Sequence, residues 1–240
     1  MAVVCSAAEL DYPVTVSGNY WILGCGSQSA TVQHLLQKIN RYVYEAVESI
    51  DGAGPVGTAI SRKFFGGVDP NILRPLLERT ATGPNITLTY QNGQESYHPT
   101  IVCANSFMPE IEKFWLHCQE SNSKRQASWA IGTQFVVICS RTFSLKMLPE
   151  PSDCFKRLRN GRFHGGQSLA RTQLSVLFHE LVHLYLNQSS LKPEVYRLSD
   201  IVDLSPADSV KNPANYVFYL ASKGNYIPRR HLITQIIKRL

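Results

Sequence analysis

No apolar run in the 240-residue chain is long enough to cross a bilayer, so a helical membrane protein is set aside. There is no C-x-x-C pair, so the six cysteines do not suggest a thiolate metal site. A nucleic-acid-binding motif is also missing, and the excess of six basic charges is scattered, as at Lys124 and Arg125, Lys156 to Arg162, and Arg229 and Arg230. A solvated basic surface with no nucleic-acid partner follows. Met1 to Leu10 lack both the charged n-region and the sustained apolar stretch of a secretory signal. Two expectations result: a mature secreted chain with an added start Met, or a protein made without a signal that works in the cytoplasm. Neither a repeat nor a linker divides the chain. A 44% hydrophobic composition can bury a substantial core, so a single domain over residues 1–240 is expected.

What the sequence does contain is the stretch Leu174 to Leu186, in which His179, Glu180 and His183 stand in the order H-E-x-x-H. Residues four apart on a helix share a face, so both imidazoles can reach one metal ion with Glu180 beside them. The helix itself is predicted by Leu174, Leu177, Leu181 and Leu184, spaced as an apolar stripe, and by the absence of Pro and Gly from Gln167 to Leu191. One side packs and another carries chemistry.

Around this helix the pattern predicts an α+β fold, mostly helical and zincin-like, with a small sheet ahead of the metal helix. Tyr12 to Val16 reads as a strand, followed by a Gly-rich loop through Cys25 and Gly26. Apolar spacing predicts a helix from Thr31 to Ile50, and Asp69-Pro70 opens another to about Arg79, with Asp69 as N-cap. Ile86 to Tyr90 and Ser96 to Cys103 read as two strands about the turn Gln91-Asn92-Gly93. A helix is expected from Pro109 to Cys118, then strands over Ser128 to Thr133 and Gln134 to Cys139, the second buried. The edge of such a sheet can pair with an extended substrate. Lys156 to Gly166 reads as a loop whose His164 belongs to no ligand spacing, and His98, beside Pro99, as a surface or packing residue. Tyr216 to Leu220 reads as a buried aromatic helical segment, and Arg229 to Leu240 as a basic amphipathic helix docked on the domain. The even cysteine count suggests disulfides, and Asn85-Ile86-Thr87 and Asn187-Gln188-Ser189 are N-glycosylation acceptors; both fit secretion.

Two histidines alone rarely hold a catalytic zinc ion, so a third ligand must follow. The H-E-x-x-H-x-x-G-x-x-H solution is excluded, because Leu186 and Asn187 replace its Gly region and no His follows closely. Glu194, Asp200, Asp203 and Asp208 are the acidic candidates.

Tyr196, the pair Leu204-Ser205 and the segment Asn212-Pro213-Ala214-Asn215-Tyr216, lying downstream of H-E-x-x-H, resemble the deuterolysin or aspzincin family of zinc metalloendopeptidases, mostly fungal secreted enzymes. The likeness spans Tyr12 to Ala221, and only H-E-x-x-H in it is highly specific. In that family an Asp from a G-T-x-D-x-x-Y-G motif completes the metal site. Register from Tyr196 places Ser190, Leu191, Pro193 and Arg197 where the family has Gly, Thr, Asp and Gly. Proline cannot bind zinc. The neighbouring Glu194 is the favoured third ligand and Asp200 the second choice, with Asp203 also open.

The expectation is then one Zn2+ ion held by His179, His183 and Glu194, with Glu180 as general base for water attack on a peptide bond. By the resemblance, Tyr196 donates to the oxyanion. The partner is a protein or peptide substrate, and the enzyme a monomer. Two alternatives accompany this reading: a zinc-dependent enzyme acting on a small molecule inside the cell, and a non-catalytic binding or effector protein with a decayed site.

Overall fold

The three-and-four spacing of Val32, Leu35, Leu36, Ile39, Val43 and Ala46 produces the predicted long helix: α1 runs Ser29–Asp51, and all six side chains are buried. The computed structural model describes residues 15–51, 61–103, 111–120, 126–148, 156–157, 163–164 and 171–223. In α2 (Pro70–Thr82) the Asp69 carboxylate accepts from the Asn71 N–H at 2.9 Å and Pro70 occupies the first turn, as the Asp-Pro pair predicts. This helix runs past Arg79 and stops where Gly83 turns left-handed, at φ 66° and ψ 46°.

Gly83 is required twice over. Its φ disfavours any side chain, and a Cβ there would lie 2.7 Å from Cε2 of Tyr20. The Tyr20 ring cannot retreat, being buried with its hydroxyl donating to the Thr80 carbonyl at 2.8 Å. Gly83→Ala is expected to destabilise the fold by about 3 kcal/mol, read as a lowered denaturant midpoint. An unchanged midpoint would mean that this contact is not tight in solution.

Five short strands form the main sheet in the order β1-β2-β5-β7-β6. They are β1 (Thr15–Ser17), β2 (Tyr20–Leu23), β5 (Thr100–Cys103), β6 (Ala127–Trp129) and β7 (Phe135–Ile138). The central trio β2, β5 and β7 is parallel, and the two outer strands run antiparallel to their neighbours. Every residue of β5 and β7 is buried, because helices cover both faces. Alternation sorts the side chains: Ile22, Ile101, Val136 and Ile138 face the main core, while Leu23, Val102, Phe135 and Val137 face a smaller one. The main core lies under α1, α2, α4 (Gln173–Leu186) and α7 (Pro213–Lys223); the smaller is closed by α3 (Glu112–Gln119).

Several expectations change. A Gly-rich loop was expected through Cys25, yet β2 lies within it; of the expected strand Tyr12 to Val16, only Thr15 and Val16 fall within the described residues. The stretch Ser96 to Cys103 is two strands. Pro99, which has no N–H, separates β4 (Gly93–Tyr97), which forms a hairpin with β3 (Ile86–Tyr90), from β5, which joins the main sheet. The predicted loop at Lys156 to Gly166 contains a small ladder, β8 (Lys156–Arg157) with β9 (Phe163–His164). His98 stacks on Trp21, with ring centroids 4.7 Å apart, a packing role. The expected helix Arg229 to Leu240 lies outside the described residues, as do Cys5 and Cys154.

Two disulfides fasten the sheet: Cys25–Cys103 joins the ends of parallel neighbours β2 and β5, and Cys118–Cys139 ties α3 to the end of β7. Such bonds fit an oxidising compartment. Among the described residues no helix is long and apolar enough to cross a membrane. Of the two glycosylation acceptors Asn85 is exposed, whereas the side-chain oxygen of Asn187 is buried at the end of α4.

Candidate metal centre

The sequence stripe Leu174, Leu177, Leu181 and Leu184 is buried, with Phe178 and Val182, and fixes the rotation of α4. Thr172 caps the helix by accepting from the Ser175 N–H at 3.1 Å, and Gln173 donates to the Phe143 and Leu145 carbonyls at 3.2 and 2.8 Å. His179, Glu180 and His183 are therefore turned toward a cleft of about 840 Å³. The two imidazole centroids are 4.9 Å apart.

Beyond α4 the chain reverses through Asn187, at φ 52° and ψ −135°, and reaches Glu194 after a cis Lys192–Pro193 bond. Glu194 is held from both sides. Leu191 N–H donates to the Lys211 carbonyl at 2.8 Å, and Asn212 grips Val195 twice, accepting from its N–H at 3.1 Å and donating to its carbonyl at 2.9 Å. Asn212 is itself fixed by donating to Asn215 at 2.6 Å, and Asn215 reaches the Phe64 and Ile201 carbonyls. These buried amides belong to α7 and its approach, so the helix packed against α4 also aims the ligand-bearing segment.

One carboxylate then spans both imidazoles. Glu194 Oε1 lies 2.9 Å from His179 Nε2, and Oε2 lies 3.1 Å from His183 Nε2. His183 Nδ1 is 3.1 Å from the buried Ser190 Oγ; when that oxygen accepts, Nδ1 carries the proton and Nε2 is left for a ligand. Tyr196, largely exposed, donates to Glu194 Oε2 at 2.5 Å and stacks on His179. Glu180 is kept apart from this cluster: its Oε2 accepts from the Trp129 N–H at 2.7 Å, on strand β6. The Trp129 indole lies nearly parallel to His183, at 6.3 Å.

The donor set fits a metal ion. His179, His183 and Glu194 offer atoms within 4.8 Å of one another. Glu194 Oε1 is buried with no aligned hydrogen bond, although it lies 2.9 Å from His179 Nε2, so its acceptor capacity is left to be met by an ion placed between them. Ligands at zinc bond lengths in a tetrahedron stand roughly 3.3 Å apart, close to the observed contacts. Two imidazoles and a carboxylate suit zinc and its first-row neighbours.

Of the sequence candidates, the fold brings together His179, Glu180, His183, Glu194 and Tyr196. Asp200 is exposed on the short helix α5 (Leu198–Ile201), accepting from Ser199, and Asp203 is exposed beyond it; neither joins the cluster. Asp208, on α6 (Pro206–Ser209), accepts from Ser205 instead. Tyr216 is a packing residue, buried with its hydroxyl on the Val210 carbonyl at 2.9 Å. Ser190, Asn212 and the Trp129 N–H, which contact His183, Val195 and Glu180, are parts of the site that the motif could not disclose. An Asn pair spaced by three in an otherwise apolar segment was the available signal for Asn212.

Charge at the site follows from this geometry. Burial alone would lower the pKa of His179, but the Glu194 carboxylate, aided by Glu180, outweighs it and raises the pKa above 6.5. Burial would raise that of Glu194, but both imidazoles hold it well below the usual carboxylate range. With no metal bound, the His179 contribution to stability is full below about pH 6.5 and fades as pH rises through the raised value, whereas the Glu194 contribution is full above about pH 4.5 and is lost progressively as pH falls below it. A metal ion must displace the His179 proton. Zinc affinity is accordingly expected to rise steadily from about pH 6 to 8 with proton release, measured by calorimetric titration in buffers of different ionisation enthalpy. Affinity independent of pH would contradict the arrangement.

No protein-family model matches the chain, and no curated protein matches it.

Proposed function

We propose that the chain is a zinc-dependent endopeptidase of the zincin type, similar to the deuterolysins, secreted and monomeric, and acting on protein or peptide substrates. The convergence of His179, His183 and Glu194 in one cleft, with Glu180 beside them but engaged elsewhere, carries this reading. Bound there, zinc would supply Lewis acidity, bringing the pKa of water toward about 7 and polarising a carbonyl. Glu180 is the general base. The Trp129 N–H holds its Oε2, leaving Oε1 to take a proton from water and deliver it to the leaving amine. Ser190 keeps the His183 ring oriented, and Tyr196 is the phenol assigned to the developing oxyanion.

Strand β6 supports a peptide substrate. Among the described residues it is an outer strand of the sheet, and Gln126 O accepts from Cys139 N–H while Ala130 N–H donates to Phe135 O, so alternation turns the backbone of Ala127 and Trp129 away from β7. An extended chain can add to that edge beside Glu180. The disulfides favour the secreted alternative over the cytoplasmic one.

Incubated with an unfolded protein, the zinc-loaded chain is expected to yield internal fragments by mass spectrometry, with cleavage stopped by a chelator and restored by zinc. Zinc-loaded protein that leaves every polypeptide intact would end the endopeptidase reading and favour a small-molecule substrate.

A further inference from the structure

The cleft holding His179, His183 and Glu194 is also lined by Arg171, Lys192 and Arg197. All three are exposed, and none forms an ion pair among the described residues. Among the described residues the only lining carboxylates are Glu180 and Glu194, one accepting from the Trp129 N–H and one set against the imidazoles. Three cations against two carboxylates leave the described lining net positive, and a bound divalent ion would increase that balance.

Two of these cations stand where a helix dipole does not favour them. Arg171 immediately precedes the N-cap of α4, and Arg197 is itself the N-cap of α5. Helix N-termini carry partial positive charge, so a cation there is slightly unfavourable. Lys192 and Arg197 lie on either side of Glu194 in the ligand-bearing segment, while Arg171 comes from the approach to the metal helix. Two separate segments thus deliver the same sign of charge to one cleft.

We infer that this cleft selects acidic peptide segments, with carboxylate side chains flanking the bond to be cleaved seated against Arg171, Lys192 and Arg197. The inference rests on the peptidase reading. Because the three groups are exposed, their effect is screened by salt and falls on substrate capture rather than turnover.

The test uses three labelled peptides of equal length that differ only in carrying Glu, Gln or Lys around a central apolar residue. Binding to zinc-loaded Glu180→Gln protein is followed by fluorescence anisotropy, and kcat/KM is measured on the unmodified enzyme. The Glu peptide is expected to bind roughly tenfold tighter than the Lys peptide at low salt, with the ratio approaching one in high salt. In an R171Q/K192Q/R197Q variant with unchanged zinc content the preference should vanish. Equal binding of all three peptides would overturn the inference. So would a preference that survives in the triple variant, since the carboxylates would then be meeting the metal itself. The salt dependence of the unmodified enzyme decides the matter even if the triple variant fails to fold. Acidic selection in binding without cleavage would sink the peptidase reading and leave the charge selection standing; equal kcat/KM on all three would do the reverse.

Discussion

Glu180→Gln is expected to keep its zinc and lose peptide cleavage by about a thousandfold, within the range that a positioned acid-base group contributes. Glutamine has the same length and retains an oxygen to accept from the Trp129 N–H, so the 2.7 Å tie to β6 need not be lost. What disappears is the ability to take a proton. Because Glu180 is tied to the edge strand rather than to the His179, His183 and Glu194 cluster, its loss should leave metal content unchanged. Parallel measurement of zinc content and kcat separates the two roles. If zinc fell together with activity, Glu180 would belong to the ligand set and the division of labour argued here would fail.

Glu194→Ala is the second large effect. It removes both oxygens that meet the imidazoles, leaving two nitrogen ligands in a half-buried site. Zinc affinity should fall by more than the roughly 10- to 100-fold typical of losing an outer hydrogen-bond partner, to the point where purified protein carries none. Asp200→Ala should bind zinc normally, since Asp200 is exposed on α5 and accepts only from Ser199 among the described residues. A variant pair with the opposite pattern would mean that residues 190–197 rearrange when metal binds.

Local chemistry made the centre of the molecule legible. A leucine stripe and a four-residue histidine spacing together define both faces of α4, and an Asp-Pro pair marks the start of α2, because these signals act within one or two helical turns. Glu194 was legible by chemistry as well: the register of the motif that the sequence resembles falls on Pro193, which cannot ligate, and the adjacent carboxylate is the one that meets the imidazoles. Strand β2 was hidden because four residues between turns carry little periodicity, and its pairing with β5 joins segments far apart in sequence. The same distance concealed the tie from Trp129 to Glu180, the Asn212 clamp on Val195 and the gathering of Arg171 with Lys192 and Arg197. Ser190 could be aligned to a motif position, but its hold on His183 depends on the reversal at Asn187, which no motif encodes.

The most direct test of the account is the metal content of the purified chain, by elemental analysis on protein prepared without added metal, beside Glu194→Ala. Close to one zinc per chain, absent from the variant, is the expected result. An unmodified chain that carries no zinc and takes none up at neutral pH would contradict the metal centre and, with it, the catalytic reading built upon it.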